Sequence, residues 1–332
     1  MKQDTLLRQV LPSLVLLAIA LAAPSFTSSG FALRIGMLVF VYAILGFGFN
    51  LLVGLAGQLS LGQQGFFAIG GYAVVLLQTN TGLPLLAAMP IALVICGLTA
   101  ALVGATLMRL RSHYLAMATL MFGLIVQGMA LRLFDLTNGS AGLRMPIPNF
   151  AGWQPTRIET YYVVIAITVV AFLVHAFVVS TFAGRAFRAM RVDEVAAQST
   201  GIDVSAYKLK LFILAAIFAG LAGCTSAIVT RQVDPTYSDV AIVISMLTLG
   251  VVGGLRSWYG PVIGATVVTI VPQFISTLQA LQPLLYGLGL LAVLIFLPRG
   301  LAGVIDSGIV YLTTRRKTMP LGDKVAANRG AR

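Results

Sequence analysis

The sequence predicts an all-α polytopic membrane protein of about ten transmembrane helices, with the N- and C-termini on the cytoplasmic side. Three observations predict it. Of 332 residues, 58% are hydrophobic and 10% charged, with mean hydropathy +0.96; a soluble domain carries about 25% charged residues. The apolar residues collect into runs near the ~20 residues that a membrane-crossing helix needs. The basic residues are shared unequally between alternate connections.

The first run, 10–26, follows Lys2 and Arg8. Residues 1–22 also have a signal-peptide layout, with a basic start, an apolar stretch and Ala20-Leu21-Ala22. An uncleaved first helix is the preferred reading, because a span-rich protein needs no separate export signal. Further runs fall at 33–53, 58–78, 84–108, 113–132, 160–180, 207–228, 239–256 and 259–279. The third, GQLSLGQQGFFAIGGY at its core, is glycine-rich and holds Gln58, Gln63 and Gln64, so a broken or re-entrant helix stays open beside a continuous one. The tenth, 283–298, is short and holds Pro283 and Pro298. Residues 1–305 then form the transmembrane domain, and 306–332 a basic cytosolic tail expected to be disordered.

Lys and Arg set the orientation. With ten spans and both ends inside, the inner side holds Lys2, Arg8, Arg109, Arg111, the 185–210 cluster, Arg256 and the tail from Arg299. The outer side keeps only Arg34, Arg132, Arg144, Arg157 and Arg231 of the 22 basic residues. The net charge of +12 is therefore a topology signal rather than a nucleic-acid patch. Cys96 and Cys224 each lie inside an apolar run and read as small hydrophobes, not a disulfide or metal site.

Residues 182–211, FAGRAFRAMRVDEVAAQSTGIDVSAYKLKL, concentrate charge between two apolar runs. On one continuous helix, Arg185, Arg188 and Arg191 would lie toward the positive N-terminus and Asp193 and Glu194 toward the negative C-terminus, unfavourable by ~0.3–1 kcal/mol each. Splitting the segment removes the conflict. The arginines then close the preceding membrane helix at its negative pole. Asp193 and Glu194 open a short new helix that Gly201 stops, and Ala196 and Ala197 give it a small-residue face. An ordinary charged loop is the plain alternative.

Gln58, Ser60, Gln63 and Gln64 are the best polar candidates for a substrate pathway, because neutral amides meet a zwitterion or small amide without burying a fixed charge. Gly70, Gly71, Tyr72 and Thr119 extend that set. Polar packing between helices with small residues is the competing reading. The outer loop 133–159, with Asn138, Gly139, Ser140 and Gly142, receives a partner, forms a gate or merely connects. His113 reads as interfacial, and His175 as a packing histidine rather than a gate or pH sensor. No G-x4-G-K-[S/T] sequence occurs. The span interiors also lack the mid-membrane charges that ion-coupled carriers use. No Ser-His-Asp or Cys-His constellation stands out, so a membrane enzyme fits poorly.

Taken together, the segments resemble the branched-chain amino acid ABC-transporter permeases of the M type over roughly residues 35–305. Gly54 to Tyr72 looks like the first-half signature, His113 to Leu120 like the central helix, and Thr137 to Leu143 like the outer-loop motif. Glu194-x-Ala196-Ala197-x-x-x-Gly201, after Gly184-Arg185-Ala186-Phe187-Arg188-Ala189, is similar to the "EAA…G" loop that docks on an ATPase. Gly253-Gly254, Gly260-Pro261 and Gly264-Ala265 look like the tight turn between two late helices. Two departures are visible. Val195 separates Glu194 from the alanine pair, and Met121, Phe122, Gly123 and Leu124 are apolar or small where many relatives carry polar residues.

The resemblance implies an ABC importer permease fold, with a cytosolic coupling loop at 182–206 and a periplasmic loop at 133–159. It implies a multi-pass protein of the bacterial inner membrane, paired with a homologous H-type permease. The other parts would be two cytosolic ATPases, which would bind ATP and Mg, and a periplasmic substrate-binding protein. No cofactor is expected in this chain. Urea, short amides or small aromatic acids are alternative substrates, and a stand-alone facilitator is the alternative of another class.

The topology is testable with single cysteines in a background lacking Cys96 and Cys224. In cells whose outer membrane is permeabilised, Asn149→Cys is expected to react with a membrane-impermeant thiol reagent. Ser199→Cys is expected to react only after the inner membrane is opened. The reverse pattern would overturn the orientation.

Overall fold

A helix that must pack tightly inside a membrane has no hydrophobic drive toward its neighbours, so it relies on close backbone approach at small residues. That requirement organises this chain. A computed structural model describes residues 30–108, 110, 112–150, 152–255, 257–275, 287 and 300–303. The expected first span at 10–26, the tenth at 283–298 apart from Gly287, and the tail at 306–332 lie outside them.

Helix α1, Gly30–Phe49, runs on through a π-helical turn, Asn50–Leu55. Helix α2, Gln63–Thr81, follows a non-helical stretch, and α3 spans Leu85–Leu107. Helix α4, Ser112–Arg132, leads through the single turn α5, Phe134–Thr137, to strand β1, Leu143–Arg144. Helix α6 is Arg157–Ser180, α7 is Phe182–Val192, α8 is Glu194–Ser199 and α9 is Val204–Thr230. Strand β2, Gln232–Val233, precedes α10, Val240–Gly253, and α11, Gly260–Ile275. Their starts are written in local chemistry. Thr156 and Glu159 form a reciprocal capping box at α6, and Asp203 Oδ1 accepts from Ala206 N (3.0 Å) at α9. Gly82, in the left-handed region at φ 65°, ends α2.

Among the described residues, five helices have the length and apolarity of a span: Gly30–Leu55, Leu85–Leu107, His113–Arg132, Arg157–Ser180 and Val204–Thr230. Helices α10 and α11 are apolar but shorter, and α2, with its glutamines, is not in that set. Burial sorts the five into two groups. The apolar windows of α1 and α9 are 78% and 72% buried, whereas those of α3, α4 and α6 are 22%, 22% and 33% buried. Thus α1 and α9 are interior, and the other three present apolar faces outward.

Helix α9 is the hub, packed against α1, α2 and α3. Between Phe212 and Ile228 its buried residues are mostly small, among them Ala215, Ala216, Ala219, Gly220, Ala222, Gly223 and Cys224. A Cβ at Gly70 would land on the Gly220 carbonyl, and one at Gly223 on the Phe67 carbonyl. Cys224 Sγ donates to Gly70 O (3.2 Å) and Cys96 Sγ lies 3.7 Å from Phe66 O, so both cysteines act as the small packing residues expected. Phe66 lies edge-on to Phe212 and tilted on Phe122, locking α2 to α9 and α4. A second glycine contact joins α10 to α11, where side chains at Gly253 or Gly264 would meet backbone carbonyls of the facing helix.

The helix crossing predicts a graded response to bulk. Gly223→Leu is expected to destabilise the purified chain by about 1–3 kcal/mol or more through forced separation of α2 and α9. Gly128→Leu, where no atom lies within 4 Å of a new Cβ, is expected to be tolerated. Thermal unfolding in detergent, followed by size-exclusion, would check it. Equal loss from both variants would sink the close-approach account.

Candidate functional site

Between the π turn and α2 the chain leaves helical geometry within the protein interior. Gly57 turns at φ 68°, and residues 57–62 are not helical. The sequence left this span open between continuous and broken; it is broken, and α2 begins only at Gln63. Gln58, Ser60, Gln63 and Gln64 are all buried here, at 6%, 0%, 1% and 0% exposure. Gln58 Nε2 donates to Met108 Sδ (2.8 Å). Ser60 Oγ and both amide heteroatoms of Gln63 and Gln64 find no protein partner. A buried polar group without a partner costs ~1–3 kcal/mol, so the segment concentrates costly hydrogen-bonding capacity.

The remaining residues predicted with this cluster play other parts. Thr119 Oγ1 accepts from Leu61 N (3.0 Å) and bonds back to the Leu115 and Ala116 carbonyls, which uses up its hydroxyl as an anchor for the bend. Gly70 and Gly71 are occupied by α9 and by the Tyr237 ring, so their smallness serves helix packing. Tyr72 is buried on α2. His175 is fully buried, with Nε2 3.4 Å from Asn50 Oδ1 and its ring against Phe47; the second ring nitrogen has no partner, so it is only half of the satisfied packing histidine expected.

The charged segment splits as its chemistry dictates, with one correction. Helix α6 ends at Ser180, and the arginines form a separate 11-residue helix, α7, after an extended Thr181. Gly184 permits the close approach of α7 to the end of α6, since a Cβ there would meet the Val178 and Val179 carbonyls. Arg188 Nη1 still donates to Val179 O (3.2 Å), so one arginine closes the α6 terminus as expected, but from the next helix. Arg191 donates to Gly54 O, tying α7 to the π turn, and its stem lies against Gly57. Arg185 stacks over Phe182 at 5.5 Å.

Asp193 caps α8, with Oδ1 accepting from Val195 N (2.8 Å) and Ala196 N (3.1 Å). Gly201 stops it at φ 86°, and Ile202 N bonds back to Ala197 O (3.2 Å). Glu194 pairs with Lys208 at 2.6 Å. The alanine pair does not form one outer face. Ala197 turns into the core at 4% exposure, while Ala196 faces outward. On a six-residue helix, consecutive side chains cannot share a face. The exposed apolar tip is instead Val192 and Val195, at 88% and 75% exposure.

The outer motif is built rather than slack. Asn138, at φ 59°, donates through Nδ2 to Gly142 O (3.2 Å), and Gly139 and Gly142 take positive φ. Strand β1 pairs antiparallel with β2, Leu143 opposite Val233 and Arg144 opposite Gln232. Ser140 lies in the intervening 3-10 turn. Tyr237 anchors the partner loop, accepting from Ser226 Oγ (2.9 Å) and donating to Gln232 O (3.0 Å). Burial pushes its phenol up to about 12, against the opposite pull of hydrogen bonds with Ser226 and Thr230. Ser238 Oγ reaches Gly123 O (2.7 Å), pinning this loop to α4.

The comparisons with known proteins agree with this layout. Residues 31–297 match the family model described as branched-chain amino acid transport system / permease component. The chain is 31% identical to the protein named high-affinity branched-chain amino acid transport system permease protein LivM of Salmonella typhimurium, over 89% of this chain and 75% of that one. The LivM protein of Escherichia coli gives the same identity and coverage. A probable branched-chain amino acid transport permease protein LivH of Methanocaldococcus jannaschii is 30% identical over 36% of this chain and 41% of its own length. No solved structure matches significantly. The family match covers well over half of the sequence, and with its long apolar helices the chain is a multi-pass membrane protein that belongs to the branched-chain amino acid transport permease family.

Proposed function

We propose that this chain is the membrane permease subunit of an ATP-driven importer in the bacterial inner membrane, forming part of the pathway for branched-chain or related hydrophobic amino acids. It would pair with a homologous H-type permease and receive substrate from a periplasmic binding protein. Two cytosolic ATPases would bind the ATP and Mg and supply the work. Ten spans with both termini cytoplasmic, and the basic tail 306–332 in the cytosol, complete the reading.

The observation that carries it is the α7–α8 segment. Two valines at a polar, charged tip are unfavourable in water and suit a partner's cleft. Asp193 and Gly201 fix both ends of α8, so its tip is a rigid feature rather than a mobile loop. The Arg191–Gly54 bond then joins that tip to the bend that holds the glutamines. A displacement of α8 by a nucleotide-driven partner would reach the polar bend through one side chain. The unpaired amides at the bend suit a zwitterion, whose charges need hydrogen bonds without a fixed counter-ion to trap it.

Docking and burial make opposite forecasts for adjacent residues. Ala196→Glu is expected to leave abundance normal while abolishing ATPase co-purification and uptake. Ala197→Glu would bury a charge in the core and is expected to lower the abundance of the chain itself. If Ala196→Glu retains its ATPase and transports normally, α8 is not the docking element.

The glutamines allow a second test by sign. Replacing a partnerless buried amide with Leu removes a cost, so Gln63→Leu and Gln64→Leu are expected to keep or raise the unfolding temperature. Uptake is expected to slow about tenfold, the equivalent of ~1.4 kcal/mol. Loss of stability with unchanged uptake would make them packing groups.

A further inference from the structure

At the end of α6 opposite the coupling segment lies a cavity of about 670 Å³, the size of a small-molecule site. Three arginines line it, each from a different element: Arg34 from the first turns of α1, Arg157 from the start of α6 and Arg231 from just after α9. The Arg157 guanidinium lies over Gly30, one turn from Arg34 on the same helix face. Arg231 Nη1 donates to Pro146 O (3.4 Å), beside the cavity residue Ile147. Among the described residues no acid lines the space. Glu159, the acid nearest Arg157 along α6, has Oε2 accepting from Thr156 N (2.6 Å) in the capping box. Two of the arginines are held at a cost. Arg157 is the first residue of α6, at the positive pole of the helix. Arg231 takes φ 59°, a conformation that favours glycine at a helix end. Three cations around one space also repel one another.

We propose that this cavity captures the carboxylate of an incoming hydrophobic amino acid before it reaches the glutamine bend. The proposal rests on the transport reading, in which this end of the molecule faces the side from which substrate arrives. Guanidinium groups match a carboxylate through paired N–H donors, and the anion would relieve both the mutual repulsion and the cost at the helix pole. The floor of the cavity supplies the other half of the fit. Three residues deeper than each arginine stands a buried side chain: Met37 below Arg34, Thr160 below Arg157 and Ile228 below Arg231, at 4%, 6% and 0% exposure. Three residues of helix rise ~4.5 Å, the reach of a short aliphatic side chain. A lipid phosphate shares the guanidinium chemistry, but this floor closes too soon for an acyl chain. Arg34 and Arg157 are exposed, so the mouth is wet and an ammonium group can stay hydrated there. The glutamines at the bend carry no charge, so the arginines are the groups that can draw in a carboxylate from a distance.

The test uses the full chain purified in a neutral detergent. L-leucine and 4-methylpentanoate, which keeps the carboxylate and loses the ammonium, are each expected to raise the unfolding temperature by about 2 °C or more. L-leucinamide, which lacks the carboxylate, and acetate, which lacks the side chain, are expected to leave it unchanged. Arg157→Gln should lose the shift, and Arg132→Gln, on α4 outside the cavity, should keep it. No shift with L-leucine, an equal shift with L-leucinamide, or a shift that survives Arg157→Gln overturns the proposal. An equal shift with acetate, or one produced only by 4-methylpentanoate or only by dioctanoyl phosphatidylglycerol, also overturns it, in favour of a simple anion, an organic acid or a lipid. If Arg157→Gln does not fold, a diazirine-bearing leucine cross-linked to the unaltered chain decides. Labelling of peptides containing Met37, Thr160 or Ile228 supports the site, and labelling confined to other peptides rejects it. Uptake in cells separates this inference from the reading beneath it. Arg157→Gln is expected to slow leucine uptake while its ATPase still co-purifies, and normal uptake by this variant ends the capture site alone. Absence of leucine uptake by the unaltered system ends the transport reading itself.

Discussion

The contact on which the rest of the structure depends is the near-touching of two backbones, α2 against α9. It is made possible by Gly70 on one side, where a Cβ would meet the Gly220 backbone, and Gly223 on the other, where one would meet the Phe67 carbonyl. Dispersion falls steeply with distance, so two helices a side chain closer together gain many contacts at once. In a membrane this replaces the drive that water would supply. The same crossing fixes the position of the α2 N-terminus. Everything upstream, from the π turn to Gln63, must therefore reach that point along a set path.

That path explains why the chain breaks helix where it does. A continuous helix from α1 into α2 would carry α2 away from α9. The chain instead widens to a π turn, reverses at Gly57 and is caught by Thr119 at Leu61. Non-helical backbone inside a membrane protein is tolerated only where the protein itself satisfies or shields it. Arg191 on Gly54 O and Thr119 on Leu61 N satisfy it from α7 and α4, and Asn50 Nδ2 ties the π turn to Leu255 O (3.0 Å) after α10. The glutamines inherit the position without being needed to hold it, since their amides bond none of the bend's backbone. Polar groups that support nothing and carry a burial cost are the ones for which a functional account is most economical.

The helices were legible because their signals are local. The ends of α3, α4, α6 and α9 fall within about three residues of the apolar runs, and the Asp193 and Gly201 limits of α8 followed from capping chemistry alone. The misread features depend on tertiary placement. Nothing in the run from Phe177 to Met190 marks the turn at Thr181, because the clash that Gly184 avoids is with carbonyls of the preceding helix. Ala196 and Ala197 are identical in the sequence, and only the packing of α8 against the core separates them. Asn50 stood as a lone polar residue in an apolar run, a visible signal, but its partners Leu255 and His175 are more than 100 positions away. The β1–β2 pairing was hidden for the same reason.

Arg191 gathers these strands into one argument. Its stem packs on Gly57, its guanidinium holds Gly54, and two residues later Asp193 begins the helix with the exposed valine tip. Both halves of this connection are stiff: α8 is capped at each end, and the bend is bonded to three elements. A link between two stiff bodies transmits displacement, whereas a link between mobile loops would absorb it. Gly57 makes the bend possible, because its positive φ is a conformation open to glycine without steric cost. The fold thus places a single charged side chain between the polar bend and the exposed end of the molecule.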